Sequence, residues 1–295
     1  MKRAKISFGR VALVIILLFF MTVILFPIVE IFINSFSDGE GVMKRGMSFK
    51  NKFVGFTNYI EILKMTRFNI AMKNTVLRTV IGTIIGTVCD VLLAFVLSRK
   101  EFRYKKPLTI FFVTAYAIEC GLVPRVMLYR KLNLTNNFWV YIIPNALNIM
   151  YVMILKVFME GFPKDNEESA YLDGAGKFRI LISIVVPECK TIIASIAIFI
   201  ASDQWNSWFD NMLYNRHPIE LTTYMYEIYK RLCADLIDPN YLETIDFYNP
   251  LVIIPPTMRL SMELVFVIVA IVFSIAATKL YVPAVEKIIK SAKKK

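Results

Sequence analysis

Apolar residues gather in six long runs, at roughly 11–35, 74–98, 107–131, 138–160, 180–203 and 259–284. Each has about 20 residues or more, the length a helix needs to cross the hydrocarbon core of a bilayer. The pattern predicts an all-α membrane protein with six transmembrane helices. Between the fifth and sixth runs the period changes. In PIELTTYMYEIYKRL (218–232), Pro218 suits a first helical turn, and Leu221, Met225, Ile228 and Leu232 recur at helical spacing. An amphipathic helix is expected there. The first run follows MKRAKISFGR as a secretory signal would. It is too long for one and lacks a small-residue cleavage site, which predicts a retained span.

Composition agrees with this reading. The chain of 295 residues is 57% hydrophobic with a mean hydropathy of +0.55, too little polar surface for a soluble domain. Its net charge of +12 raises the question of nucleic acid, but the basic residues sit at the ends of apolar runs and at both termini. Lys2, Arg3, Lys5 and Arg10 precede the first run. Arg99, Lys100, Arg103, Lys105 and Lys106 fill the second connection, and Lys287, Lys290, Lys293, Lys294 and Lys295 follow the last run. Six crossings place these segments on one side, and the positive-inside rule makes that side the cytoplasm, with both termini in it. The charge is then a set of membrane flanks, and no nucleic-acid partner is expected. The 36–73 segment is expected outside although it carries Lys44, Arg45, Lys50, Lys52, Lys64, Arg67 and Lys73, because long loops translocate largely regardless of charge. The expected organisation is an N-terminal part (1–73), a membrane domain (74–284) and a basic cytoplasmic tail (285–295).

Candidate chemistry is sparse. Cys89, Cys120, Cys189 and Cys233 form no CxxC pair, and three of them fall inside apolar runs. His217 is the single histidine, which argues against a metal centre or histidine-based catalysis. No cofactor is expected in this chain. Polar residues inside spans either line a hydrophilic path or bond between helices. Interhelical bonding, or snorkelling to a membrane surface, is the expectation for Asp90 and Lys190, while the path and the structural role both stay open for Glu119, Asn145 and Asn148. Gln204, Trp205, Asn206, Trp208 and Phe209 combine amides, which bind hydroxyls, with rings, on which sugars stack. Aromatic residues also form belts at the membrane interface.

The most informative polar connection is 163–187, PKDNEESAYLDGAGKFRILISIVVP. Pro163 suits a helix entry, and Asp165, Glu167 and Glu168 place negative charge where the helix dipole favours it. Gly174 can take the left-handed conformation that ends a helix. Ser169, Ala170, Gly174 and Ala175 are small and allow another surface to approach closely. On these signals alone the segment reads equally as a docking helix or as an ordinary capped connection.

Its spacing resembles the EAA signature of ABC importer permeases. Glu168, Ala170, Gly174, Ile184 and Pro187 stand at the spacings of Glu-Ala-Ala, three residues, Gly, nine residues, Ile, one residue, Leu-Pro, with Ser169 and Val186 as size-conserving departures. Asp173 before the glycine and Ala175 after it look like the carbohydrate-uptake branch of type I ABC importers. So do Asn74-Thr75, Leu97-Ser98-Arg99-Lys100, Gly121-Leu122-Val123-Pro124 and the 204–209 stretch QWNSWF. The nearest likeness is to the polysaccharide- and oligosaccharide-type permeases of Gram-positive bacteria.

The resemblance implies a permease subunit in the bacterial cell membrane, paired with a second, homologous permease as a heterodimer. Residues 167–175 (Glu167, Glu168, Ser169, Ala170, Asp173, Gly174 and Ala175) would dock a cytoplasmic ATPase dimer. An extracellular solute-binding protein would deliver an oligosaccharide to a path including Glu119, Asn145, Asn148, Gln204, Trp205, Asn206 and Trp208. The chain itself would hydrolyse nothing, consistent with the absence of a GxxxxGK[ST] pattern; ATP and Mg would belong to the partner. The basic residues of 36–73 suggest an acidic sugar. Rival readings are a permease for a non-sugar solute and an ion-coupled secondary transporter. The latter calls for inverted repeats around a charged midplane site, which the sequence does not display. Gly174→Pro, or a bulky residue at Ala170, is expected to abolish ATPase assembly or transport, measured by co-purification and uptake.

Overall fold

Along a single apolar segment in lipid, only a helix satisfies every backbone polar group, and helices occupy the apolar runs. The computed structural model describes residues 8–39, 41–42, 50–118, 120–161, 165–216, 218–234 and 256–292. Its elements are α1 (Phe8–Ser35), α2 (Thr57–Lys64), α3 (Thr66–Ser98), α4 (Lys105–Ala117) and α5 (Leu122–Lys131). The 3₁₀ turns of Phe138–Asn145 then lead into α6 (Ile149–Gly161). They are followed by α7 (Asp165–Leu172), α8 (Lys177–Glu188), α9 (Lys190–Asn206), α10 (Phe209–Tyr214), α11 (Tyr224–Ala234) and α12 (Pro256–Ala292).

Helices α1, α3 and α12 are each long and apolar enough to cross a membrane unaided. The other three expected spans are broken, which corrects the expectation of uninterrupted helices. α4 and α5 meet at 112°, the 3₁₀ turns and α6 at 42°, and α8 and α9 at 85°. With each bent pair as one crossing, length and composition give six. The breaks have local causes. Gly121 precedes α5 with φ of 75°, a conformation that costs glycine least. Pro187 removes an N–H near the end of α8, just after a π turn at Leu181–Val185, and the chain bends at Cys189.

The chain divides into two compact units. One comprises Met1–Thr66 with Lys230–Ile268. In it, the end of α1 is tied by polar side chains. Asn58 donates to the carbonyls of Ser35 (2.9 Å) and Ser37 (3.1 Å), and the Ser261 hydroxyl also donates to the Ser35 carbonyl (2.9 Å). The apolar side chains of α1 from Leu13 to Phe26 are exposed in the isolated chain.

The other unit comprises Arg67–Tyr229 with Val269–Lys295. Its main apolar core sets Val91, Ala94, Phe95 and Leu97 of α3 against side chains of α6, α8 and α9, including Leu155, Leu181 and Ile196. Toward the start of α3 the packing against α9 tightens at two glycines one turn apart, the small-residue spacing that lets membrane helices approach. A Cβ on Gly82 would lie 2.8 Å from the Gln204 amide, and one on Gly86 3.3 Å from Ile200. Gly82→Leu is therefore expected to displace Gln204 and lower stability by about 1–3 kcal/mol, the usual cost of overpacking. A thermal melt of the purified protein in detergent measures it.

Candidate functional site

Arg78 of α3 is completely buried, and a buried cation persists only when paired and hydrogen-bonded. Its guanidinium donates to both carboxylate oxygens of Asp210, at 3.1 Å and 2.6 Å, and to Gln204 Oε1 at 3.1 Å and 3.2 Å. It also donates to the Ser207 carbonyl at 3.4 Å and lies 4.6 Å from the Tyr141 ring centroid. The fork of the guanidinium thus meets the carboxylate bidentately, the stronger form of the pair. One turn earlier, Asn74 donates to the carbonyls of Glu220 (2.6 Å) and Thr222 (2.9 Å). The Thr75 hydroxyl accepts from the Tyr224 N–H at 2.8 Å, which caps α11 from another helix. That cap explains a correction: the helix expected from Pro218 begins at Tyr224. Thr222 and Thr223 hold the backbone out of helix, Thr223 bonding Asn211 through both its N–H and its hydroxyl. Tyr224, Tyr226 and Ile228 supply its buried apolar positions, while Met225 is only partly covered.

Beside Arg78 opens a cavity of about 220 Å³ whose polar lining is Arg78, Asn145, Asn148, Tyr151, Asp203 and Gln204 with Ser207. The Tyr151 hydroxyl donates to Asp203 Oδ2 at 2.7 Å, and its ring stacks on Phe199 with centroids 6.3 Å apart. The Asn148 side-chain oxygen accepts from the Met150 N–H at 3.0 Å, while the Asn148 backbone N–H donates to Asp90 Oδ1 at 2.9 Å. These two bonds cap α6 where the fourth span breaks. Asp90 thus shows the interhelical bonding expected of it, and Lys190 is exposed.

The cavity brings together the anticipated Asn145, Asn148 and Gln204. Three other anticipated residues lie elsewhere. Trp205 is buried and meets Phe273 edge to face, Asn206 donates to Ser202 at 3.2 Å, and Trp208 stacks on Tyr229 with centroids 4.1 Å apart. Glu119 lies outside the described residues, as does His217. Sequence reasoning missed Arg78, Tyr151 and Asp203. The charge of Arg78 inside an apolar run was a usable signal, whereas nothing distinguished Tyr151 among 14 tyrosines.

The polar helix of the 163–187 connection is α7. It ends in paired bonds, from the Ala175 N–H to the Ala170 carbonyl (3.0 Å) and from the Gly174 N–H to the Tyr171 carbonyl (3.1 Å). Gly174 has φ of 81°, the glycine stop anticipated from the sequence. Pro163 lies outside the described residues. Ala170 and Ala175 turn partly inward against the apolar core, while Glu168, Ser169, Tyr171, Leu172, Asp173 and Gly174 are exposed, Leu172 at 87%.

Glu167 pairs with Arg99, just past the end of α3, and Lys177 lies 3.4 Å from Glu101. The Arg99 guanidinium sits 4.3 Å from the Phe95 ring centroid, and partial burial lowers its pKa while leaving it cationic. A groove of about 430 Å³ runs here, between Arg99, Glu101, Glu167, Glu168, Tyr171 and Lys177. The arrangement offers a polar cavity at one place on α3 and an exposed, capped helix at another.

No protein-family model matches the chain. The polygalacturonan/rhamnogalacturonan transport system permease protein YtcP of Bacillus subtilis (strain 168) is 29% identical over 198 residues, 67% of this chain and 69% of that protein. The chain's curated relatives include carbohydrate transport permeases. Among solved structures, a bacterial ABC transporter involved in the import of the acidic polysaccharide alginate matches with a TM-score of 0.81 at 22% identity. The match covers 95% of this chain and 98% of that one. A bacterial alginate ABC transporter in complex with an alginate pentasaccharide-bound periplasmic protein matches at 0.55 and 15% identity, over 90% and 91%. The fold is that of an ABC importer permease.

The Arg78–Asp210 pair has its own test. Removing one partner strands a buried charge, so Arg78→Met or Asp210→Asn should each cost about 3–5 kcal/mol. The double variant should recover part of that loss in a thermal-unfolding double-mutant cycle.

Proposed function

We propose that this chain is one of two paired permease subunits of an ATP-driven importer for an oligosaccharide. The observation that carries the reading is the polar wall of Arg78, Asn145, Asn148, Tyr151, Asp203 and Gln204 inside an otherwise apolar helical unit with an importer permease fold. Sugars need many hydrogen-bond partners, and such groups persist among apolar helices only where a path or a partner requires them. Ligand pockets typically span roughly 300–1,000 Å³, so a cavity of about 220 Å³ is one wall of a path. A second permease subunit would supply the facing wall.

In this reading Asp203 and the two asparagines exchange hydrogen bonds with hydroxyls, and the Tyr151 ring offers a face to a pyranose. Energy comes from a cytoplasmic ATPase dimer gripping α7 and the turn after it, where exposed Glu168, Ser169, Asp173 and Gly174 present the docking surface. The chain itself hydrolyses nothing; ATP and Mg act in the ATPase. Nucleotide-driven closure of the ATPases favours one of two packings of the paired permeases, and so alternates access. An extracellular binding protein delivers the sugar, both termini lie in the cytoplasm, and the segment after α1 lies outside. The named roles of YtcP and of the alginate importer favour an acidic oligosaccharide.

The test is purification in mild detergent with mass spectrometry of co-isolated subunits. ATPase assays with the binding protein and either oligogalacturonate or neutral galacto-oligosaccharide then follow. Oligogalacturonate should stimulate hydrolysis; stimulation by the neutral sugar alone overturns the acidic assignment. Solute uptake by this chain alone in proteoliposomes overturns the whole reading. Asp203→Ala should lower uptake about tenfold, the equivalent of one hydrogen bond to a charged group, with binding-protein affinity unchanged.

A further inference from the structure

Displacement of α7 has two routes to the cavity wall. The covalent route runs through α8 and α9, and it is soft: a π turn at Leu181–Val185, Pro187, and an 85° bend at Cys189 lie along it. The other route is α3, an unbroken helix of 33 residues. Arg99 follows its last residue and meets α7, while Arg78 meets the cavity wall. The 21 residue steps from one to the other span about 32 Å at 1.5 Å per residue.

We propose, on the reading that α7 docks a motor subunit, that α3 is the rod carrying displacement from α7 to the transport cavity, with Arg99–Glu167 as its joint. Apolar contacts hold α3 against α6, α8 and α9, but such contacts are non-directional and allow sliding. Charge pairs set position along the helix. Two pairs link α7 and α8 to the end of α3 with opposite polarity, Arg99–Glu167 and Glu101–Lys177. Exposure decides between them. The Arg99 and Glu167 side chains are 16% and 12% exposed, whereas those of Lys177 and Glu101 are 66% and 69% exposed and contribute little. The Arg99 Nε and Nη2 atoms are buried with no hydrogen-bond acceptor among the described residues, where Nη1 on Glu167 and the Phe95 face hold the guanidinium. A single-point attachment acts as a pivot, which lets α7 rotate while α3 follows. At the far end, Arg78 grips Gln204 and Asp210 bidentately, and Asn74 and Thr75 hold residues 220–224, so movement of α3 must move the wall.

The test uses the assembled complex of both permeases and the ATPase in nanodiscs. The four native cysteines of this chain are replaced by serine, and Ser207→Cys at the cavity reports accessibility to a membrane-impermeant maleimide. ATP with vanadate should change the labelling rate. Arg99→Glu should cut that change at least fivefold while the ATPase still co-isolates. The reversed pair, Arg99→Glu with Glu167→Arg, should recover at least half of it, a rescue that loss of fold would not permit. Lys177→Glu should have little effect. A full nucleotide response in Arg99→Glu, or a reversed pair as poor as Arg99→Glu in an intact complex, overturns the rod. Should Arg99→Glu fail to co-isolate the ATPase, Arg99→Gln replaces it under the same criteria. A reference complex with no nucleotide response overturns the functional reading and the rod with it.

Discussion

A full positive charge buried among apolar helices constrains everything around it. The fold must bring Arg78 an anion and enough acceptors to replace water. Asp210 supplies the charge, Gln204 and the Ser207 carbonyl supply acceptors, and Tyr141 supplies a ring face. These partners come from distant parts of the chain, and meeting this one group fixes how α3, α9, α10 and the fourth broken span sit together. Gly82 follows from the same need, because any side chain there collides with the Gln204 amide that Arg78 holds. The cavity follows too. With Arg78 neutralised by its own neighbours, Asn145, Tyr151 and Asp203 are left facing open space rather than bonding to the guanidinium.

Much of this was legible where the signal is local. The six apolar runs became helices, and Gly174 stops α7 as its position implied, because a left-handed residue depends on the chain within a few residues. The breaks were not legible. The fourth span bends where Asp90 accepts the Asn148 N–H, a contact across 58 positions that no window along the chain reveals. Pro187 was visible, but the 85° bend beside it also depends on the π turn and on packing against α3. Likewise α11 begins at Tyr224 because Thr75, far back in the sequence, caps it. The small residues Ser169, Ala170, Gly174 and Ala175 suggested a surface that a partner could approach closely. Instead, Ala170 and Ala175 turn toward the core, leaving Glu168, Ser169, Asp173 and Gly174 outside.

Charge bookkeeping at the cavity separates capacity from selectivity. Arg78 is cancelled by Asp210, and Asp203 accepts a hydrogen bond from a neutral tyrosine, so this wall carries no surplus positive charge despite the chain's net +12. A carboxylate entering beside Asp203 gains nothing from Arg78 unless it displaces Asp210, and displacement of one bidentate partner by another is near balance at best. Hydroxyls, by contrast, find acceptors at Asp203 and Asn145 and a ring face at Tyr151. On the proposed function the wall therefore suits hydroxyls, and the charge of Asp203 disfavours a carboxylate placed beside it. Under the proposed function, selection for an acidic oligosaccharide would then have to act before this point, at the surface that first receives it, or across the path on a second subunit. The basic residues at the ends of the apolar runs, by contrast, add no charge to this wall.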